Sequence, residues 1–267
     1  MAAWPGGARG ALCLSFDNLG VDGASSAAAA LPPLLERLAE RGLTATFFVE
    51  GVNAELERGA LREIAAAGHE VAYHAWRHEQ WGELSAAEQA QNLGRGVDAF
   101  ATLGLEIAGL RPPGGQLGPG GVEVLREAGL RYASPAGEGA GVEDGIALLP
   151  FQWRHVDATS MLPGLDPVRE QMTGSPDQLD PDAFTAYLEK EIGGIESQGG
   201  FISIVLHLPL LDWLGESNLA KLLDRLRDAT RSGNLWLDRC DQVANHVLSH
   251  PTAFERGATL DPTSWSG

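Results

Sequence analysis

Short apolar runs alternate with helix-periodic stretches from residue 11 to residue 248, and this alternation restricts the fold more than any other feature of the chain. Apolar runs of four to eight residues bounded by turn residues read as buried strands, and strands separated by helices imply a mostly parallel sheet. Strands are predicted at Ala11–Phe16, Thr44–Val49, Glu70–Tyr73, Ile107–Leu110, Arg131–Ser134, Ile146–Leu149, Phe201–Leu206 and Asn234–Leu237. Helices fill the gaps. The first carries Pro32 and Pro33 in its first turn and stops at Gly42, the expected order of proline early and glycine late. Another opens with the capping box Ser85-Ala86-Ala87-Glu88 and runs to about Leu103. Later helices are expected at Pro119–Ala128, Asp182–Gln198, Ser217–Ser232 and Asp238–Leu248. The pattern fits one α/β domain over residues 1–250, as a barrel or an open doubly wound sheet, followed by an aperiodic tail, 251–267, expected to be loosely held. In either architecture the site lies beyond the carboxyl ends of the strands. Residues 135–145 and 159–181, rich in Gly, Pro and Asp, read as loops over that end.

Charge and cysteine content exclude several function classes. Lys plus Arg number 19 and Asp plus Glu 36, a net charge of −17, which argues against phosphate backbones and anionic membrane faces as partners. No glycine-rich phosphate loop follows a strand. Cys13 and Cys240 have no CxxC neighbour, so neither a cysteine zinc site nor a disulfide scaffold is expected, and a reducing compartment is the plain inference. The first residues show no basic region followed by an apolar one, and no apolar stretch approaches the roughly 18 residues of a membrane span, so the expected location is cytoplasmic. The expected partner is a small molecule; nothing fixes the oligomeric state, and a homo-oligomer stays open.

Four polar features stand at predicted strand ends. Asp17-Asn18 follows the first strand; His74-Ala75-Trp76-Arg77-His78 follows Tyr73; Arg111-Pro112-Pro113-Gly114 follows Leu110; and His207 follows Leu206. Each alone has an ordinary reading: an Asx turn, a chance pair on a helix surface, a proline-stiffened turn with a surface arginine, a packed histidine. The functional readings are specific. Two histidines four apart fall on one face of a helical turn and reach a single divalent ion. A fixed guanidinium holds a carboxylate, and a histidine near neutrality serves as a general acid. Trp76, Trp81 and Trp153 lie near these loops, where an aromatic face stacks on a sugar or packs the core. His69, His155, His246 and His250 lack motif context and read as structural or surface residues.

Taken in order, Ser15-Phe16-Asp17-Asn18, His74-xxx-His78, Arg111-Pro112-Pro113, Trp153 with Asp157, and Leu206-His207 resemble the motifs of the NodB-like polysaccharide deacetylases, carbohydrate esterase family 4. The resemblance spans residues 11 to 210. It implies a deformed (β/α) barrel of about seven parallel strands and metal-dependent hydrolysis of an acetamide. It also implies Asp17 as general base, His207 as general acid, Arg111 as the orienter of Asp17, and His74, His78 and Asn18 around a divalent ion, expected to be zinc. Trp153, Trp76, Gly114 and Asp157 are then the expected substrate contacts, with a backbone N–H near Gly114 for the oxyanion.

Two departures bear on this. Asn18 replaces the family's metal-binding aspartate, so the site loses an anionic ligand and metal affinity should fall; Asp22 is a candidate substitute. Gly114 stands where the family often has an aromatic residue, which widens the pocket floor. The stretch Ser203–Pro209 is also similar to the branch that hydrolyses small cyclic or linear amides, some members without a metal. The sequence therefore predicts removal of an acyl group, foremost acetyl, from an amino sugar or other small N-acylated metabolite, with a metal-free amide hydrolase as the alternative and a non-catalytic relative as a third reading.

Overall fold

The computed structural model describes residues 4–22, 27–254 and 257–262. The strands are β1 (Gly10–Asp17), β2 (Thr46–Val49), β3 (Glu70–Tyr73), β4 (Gly109–Leu110), β5 (Tyr132–Ala133), β6 (Gly137–Glu138), β7 (Gly141–Glu143), β8 (Ile146–Leu148), β9 (Gly200–His207), β10 (Leu235–Leu237) and β11 (Thr259–Leu260). The helices are α1 (Leu31–Arg41), α2 (Asn53–Leu56), α3 (Arg58–Ala66), α4 (Ala86–Ala101), α5 (Gly121–Glu127), α6 (Asp166–Thr173), α7 (Pro181–Gln198), α8 (Leu211–Leu214), α9 (Glu216–Arg231) and α10 (Cys240–Ser249). The chain signals act as expected at the helix ends. Ser85 Oγ accepts from the Glu88 N–H while Glu88 returns the bond to the Ser85 N–H, and Gly42 closes α1 at φ 63°.

A curled, mostly parallel sheet forms a half-barrel in the order β10, β1, β2, β3, β4, β5, β8, β7. β1 pairs with β9 along its whole length and divides its other edge between β10, beside Gly10–Leu12, and β2, beside Ser15–Asp17. Only β7–β8 in this sheet is antiparallel. Among the described residues no strand pairs with the other edge of β9 to close the barrel; a single parallel bridge, Val156 to Val205, lies there instead.

Strand parity sorts the residues into two layers. Leu12, Leu14 and Phe16 of β1 join Ile202, Ile204 and Leu206 of β9 in the core under the helices. The intervening residues, Ala11, Cys13, Ser15 and Asp17, face inward and become more polar toward the carboxyl end. At the amino end α10 packs with Val243, Ala244 and Val247 against Ala11, Cys13, Tyr132 and Ala147. Buried Glu70 anchors that helix: it accepts from the Asp241 N–H, Thr46 and Tyr132, and burial pushes its carboxyl up to about 7.

Three expectations change. The segment 159–181 is not loop throughout, since α6 forms there with Asp166 and Pro167 in its first turn. Residues 135–145 contain β6 and β7. The tail is not loose where it is described, because Thr259–Leu260 pairs antiparallel with Gly137–Glu138; residues 255–256 and 263–267 lie outside the described residues.

Two glycines on α4 give opposite stability outcomes. A Cβ on Gly96 would meet the Tyr73 ring at 2.1 Å, whereas one on Gly94 meets nothing within 4 Å. Gly96→Ala should cost about 1–3 kcal/mol from overpacking, and Gly94→Ala should gain about 0.5–1 kcal/mol from helix propensity. Urea unfolding of both variants checks this.

Candidate active site

Asp17, the last residue of β1, and Arg111, just past β4, form a buried ion pair, Arg111 Nη1 to Asp17 Oδ1, at 2.6 Å. Both side chains are almost wholly removed from water, at 2% and 1% exposure for the residues. Such a pair persists only if its remaining hydrogen-bonding capacity is met. Arg111 donates to Ser15 Oγ at 2.6 Å, to Ser134 Oγ at 3.0 Å and to Ser203 Oγ at 3.1 Å, and its guanidinium lies 4.0 Å from the Phe48 ring centroid. Burial lifts the Asp17 carboxyl above its ordinary value, against the opposing pull of Arg111 and His207.

His207 ends β9 directly beside Asp17 in the β1–β9 register. Its Nδ1–H donates to Asp157 Oδ1 at 2.5 Å, and its backbone N–H donates to Asp157 Oδ2 at 2.7 Å. This leaves Nε2 as the ring nitrogen free of Asp157. Burial alone would lower the imidazole pKa, but the charge and hydrogen bond of Asp157, reinforced by Asp17, raise it.

His74 and His78 follow β3 with ring centroids 4.9 Å apart. They are not on a helix. Residues 75–77 form a turn, and Ala75 and His78 adopt φ of 60° and 62°, outside the helical region. The Ala75 and Trp76 carbonyls accept from the Gly51 and Val52 N–H groups, which holds the turn against the loop after β2. His74 Nδ1 bonds the Arg111 carbonyl at 2.7 Å, so Nδ1 carries the proton and Nε2, 4.0 Å from Asp17 Oδ2, keeps its lone pair. Burial lowers the pKa of both imidazoles, keeping them neutral as a metal ligand requires.

Asn18 tests how well a divalent ion fits. Its Nδ2 donates to Glu50 Oε1 at 3.2 Å, so its Oδ1 is turned away; that oxygen is buried and has no hydrogen-bond partner. Among the described residues no group of three or more His, Cys, Asp or Glu could hold a metal ion. The candidate donors are thus two neighbouring neutral imidazoles and, from the loop after β1, one unpartnered amide oxygen, with no anionic ligand beside them at position 18. Asp22 lies exposed on the loop after β1.

These groups converge on a cavity of about 100 Å³ lined by Asp17, His74, His78, Arg111 and His207. Gly114 at its floor adopts φ 77°, and the next N–H, that of Gly115, is already committed to the Pro112 carbonyl. Trp153 lines the wall with Phe151, Val156, Leu162 and Leu165. Arg169 staples this wall from behind: buried, it donates to the carbonyls of Thr159, Leu162 and Pro176 and pairs with Asp166.

Two expected substrate contacts fall elsewhere. Trp76 is buried under the Arg95 guanidinium, 3.6 Å from its ring centroid, and does not line the cavity. Asp157 is fully buried and holds His207 from behind. Trp81 is a core residue. Ser134, Ser203 and Glu50 went unnoticed in the sequence; the available signal was a polar residue inside or just after an otherwise apolar strand.

The sequence model of the polysaccharide deacetylase family matches residues 7–133. The peptidoglycan-N-acetylglucosamine deacetylase PgdA of Listeria monocytogenes serotype 1/2a is 31% identical over 120 residues, 45% of this chain. The match spans only 24% of that protein, about a quarter of its length. Among solved structures, a Mycobacterium smegmatis protein assigned as a polysaccharide deacetylase has a TM-score of 0.77 at 23% identity, covering 99% of this chain and 96% of that one. PuuE allantoinase has a TM-score of 0.74 at 18% identity, covering 93% of each chain. Both likenesses show the deformed (β/α) barrel.

Arg111→Met should leave the Asp17 charge buried without its partner and destabilise the fold by about 3–5 kcal/mol at pH 7. Without Arg111 the folded-state pKa of Asp17 rises further above the unfolded value, so the penalty applies above that range and fades as pH falls below the unfolded pKa. Unfolding at pH 7 and pH 4 checks this; an equal loss at both would contradict it.

Proposed function

Because this chain belongs to the NodB-like polysaccharide deacetylase superfamily, carbohydrate esterase family 4, we propose that it is a hydrolase removing an acyl group, foremost acetyl, from the amide nitrogen of an amino sugar or other small N-acylated metabolite. The observation that carries this reading is the pairing, on one cavity, of a carboxylate held by Arg111 and an imidazole held by Asp157. A carboxylate base and an imidazole acid facing one cavity are what amide hydrolysis needs.

The residues divide the work as follows. Arg111 occupies Asp17 Oδ1, leaving Oδ2 to take a proton from the attacking water as its oxygen bonds to the amide carbon. His207, protonated, gives its Nε2 proton to the nitrogen as the carbon–nitrogen bond breaks, and carboxylate and amine leave. Asp157 holds that ring in place through the whole cycle. The Gly114 N–H is assigned to the carbonyl oxygen as it gains charge. His74, His78 and Asn18 Oδ1 would hold a divalent ion, with zinc the expected one, and the ion when bound polarises the carbonyl and acidifies water.

A cavity of about 100 Å³ has room for a compact acyl group. Its apolar wall, with Leu162, Pro163 and Leu165, offers little to the hydroxyls of a polymer. Two free thiols, Cys13 and Cys240, are compatible with a cytoplasmic setting. Among the described residues no helix is long and apolar enough to cross a membrane. The neutral donor set favours one second reading, metal-free hydrolysis of a cyclic or linear amide by the same Asp17 and His207.

Metal content by plasma mass spectrometry should show near one divalent ion per chain in the untagged wild type and none in His74→Ala, His78→Ala. Asp17→Asn should keep the ion while acetate release from N-acetylated amino sugars and amino acids falls at least about 10²-fold. No metal in the wild type after zinc incubation, with activity surviving chelation, would select the metal-free reading. Asp157→Asn should move the alkaline limb of the kcat/KM profile to lower pH, because the raised His207 pKa loses its main support; an unmoved limb would remove His207 from the acid role.

A further inference from the structure

Glu50 is a buried carboxylate that the steps above do not use, and it stands at the end of β2 between the ends that carry Asp17 and His74. Both of its oxygens are engaged. Oε1 accepts from Asn18 Nδ2 at 3.2 Å; Oε2 accepts from the Leu19 N–H at 3.0 Å and from Asn53 Nδ2 at 3.0 Å. Asn53 in turn donates to the Gly20 carbonyl at 2.8 Å, so one carboxylate ties down three consecutive residues of the loop after β1. Asn18 sits in that loop at φ 64°, its N–H bonded to the Phe48 carbonyl, and the asparagine side chain tolerates this backbone.

A carboxylate only accepts hydrogen bonds, so the Asn18 side chain must present its NH₂ to Glu50 and turn its oxygen the other way. That oxygen is the buried one without a partner. An aspartate at position 18 would reverse the interaction and set two buried carboxylates against each other at hydrogen-bond distance. We propose that Glu50 is the positioning residue of this site: the negative charge that the resemblance implies at position 18 is carried here at position 50, and it requires a neutral amide at 18 whose oxygen is left unpaired for a further donor or an ion. The ion's part in this rests on the metal-dependent reading above; the coupling of the two positions does not.

The test is a double-mutant cycle on the full chain, Asn18→Asp, Glu50→Gln and the two combined, read in two ways. Zinc titration by calorimetry on metal-stripped protein should show Glu50→Gln looser than wild type by about tenfold or more. Asn18→Asp should give no gain, and the combined variant should bind at least about tenfold tighter than Asn18→Asp alone. Urea unfolding in EDTA should show both single variants shifted to lower midpoints, with the combined variant recovering most of the loss. Asn18→Asp binding zinc as tightly as the combined variant, or midpoint shifts that simply add, would overturn the proposal. Should Glu50→Gln not fold, Asn18→Asp against wild type still decides, since a tenfold gain from it alone is the contrary result. Absence of zinc binding in all four proteins would defeat the metal-dependent reading, and the unfolding cycle would then decide the coupling by itself.

Discussion

A guanidinium and a carboxylate are taken out of water together at the carboxyl end of the barrel, and the interior is arranged to make that tolerable. Desolvating each ion costs several kcal/mol, which mutual attraction repays only when every other donor is satisfied. Three strands meet that demand from positions that would otherwise be apolar: Ser15 from β1, Ser134 just after β5 and Ser203 from β9 all accept from Arg111. The Arg111 carbonyl then fixes the tautomer of His74, so the same residue that holds the Asp17 carboxylate also orients an imidazole beside it. Asp17 and His74 thus share one buried anchor, while His207 is held by another, Asp157.

The sequence disclosed what depends on local order and withheld what depends on contact between distant strands. Strand ends were legible, since apolar runs stop where side chains reach the polar mouth; Asp17, His74, Arg111 and His207 all meet at one cavity. The histidine spacing suggested a helix, but two positive φ values make a tight turn, and nothing in a four-residue interval distinguishes the two. Position in motif loops points Trp76 and Asp157 toward substrate. Their actual neighbours, Arg95 and His207, are settled by packing that no linear pattern encodes. One acidic residue after a strand looks like a turn, and the significance of Glu50 appears only with Asn18 across from it.

Asn18 also illustrates why an asparagine in place of an expected aspartate is not by itself evidence of decay. Losing a carboxylate from an otherwise intact constellation suggests a degraded site, yet the charge is still present one strand over, with its hydrogen bonds complete. The substitution and its neighbour form one electrostatic unit, and judging residue 18 in isolation misreads it.

The wall opposite the catalytic groups is built on different terms. It bridges an unclosed gap in the barrel through a single strand-like contact, Val156 to Val205, and its far side is gathered by one arginine, Arg169. The two sides of the cavity thus rest on separate foundations: one on strand ends that cannot shift without breaking the core, the other on a segment held mainly by its own bonds. A change in that segment would reshape the wall while leaving Asp17, Arg111 and His207 where the strands put them.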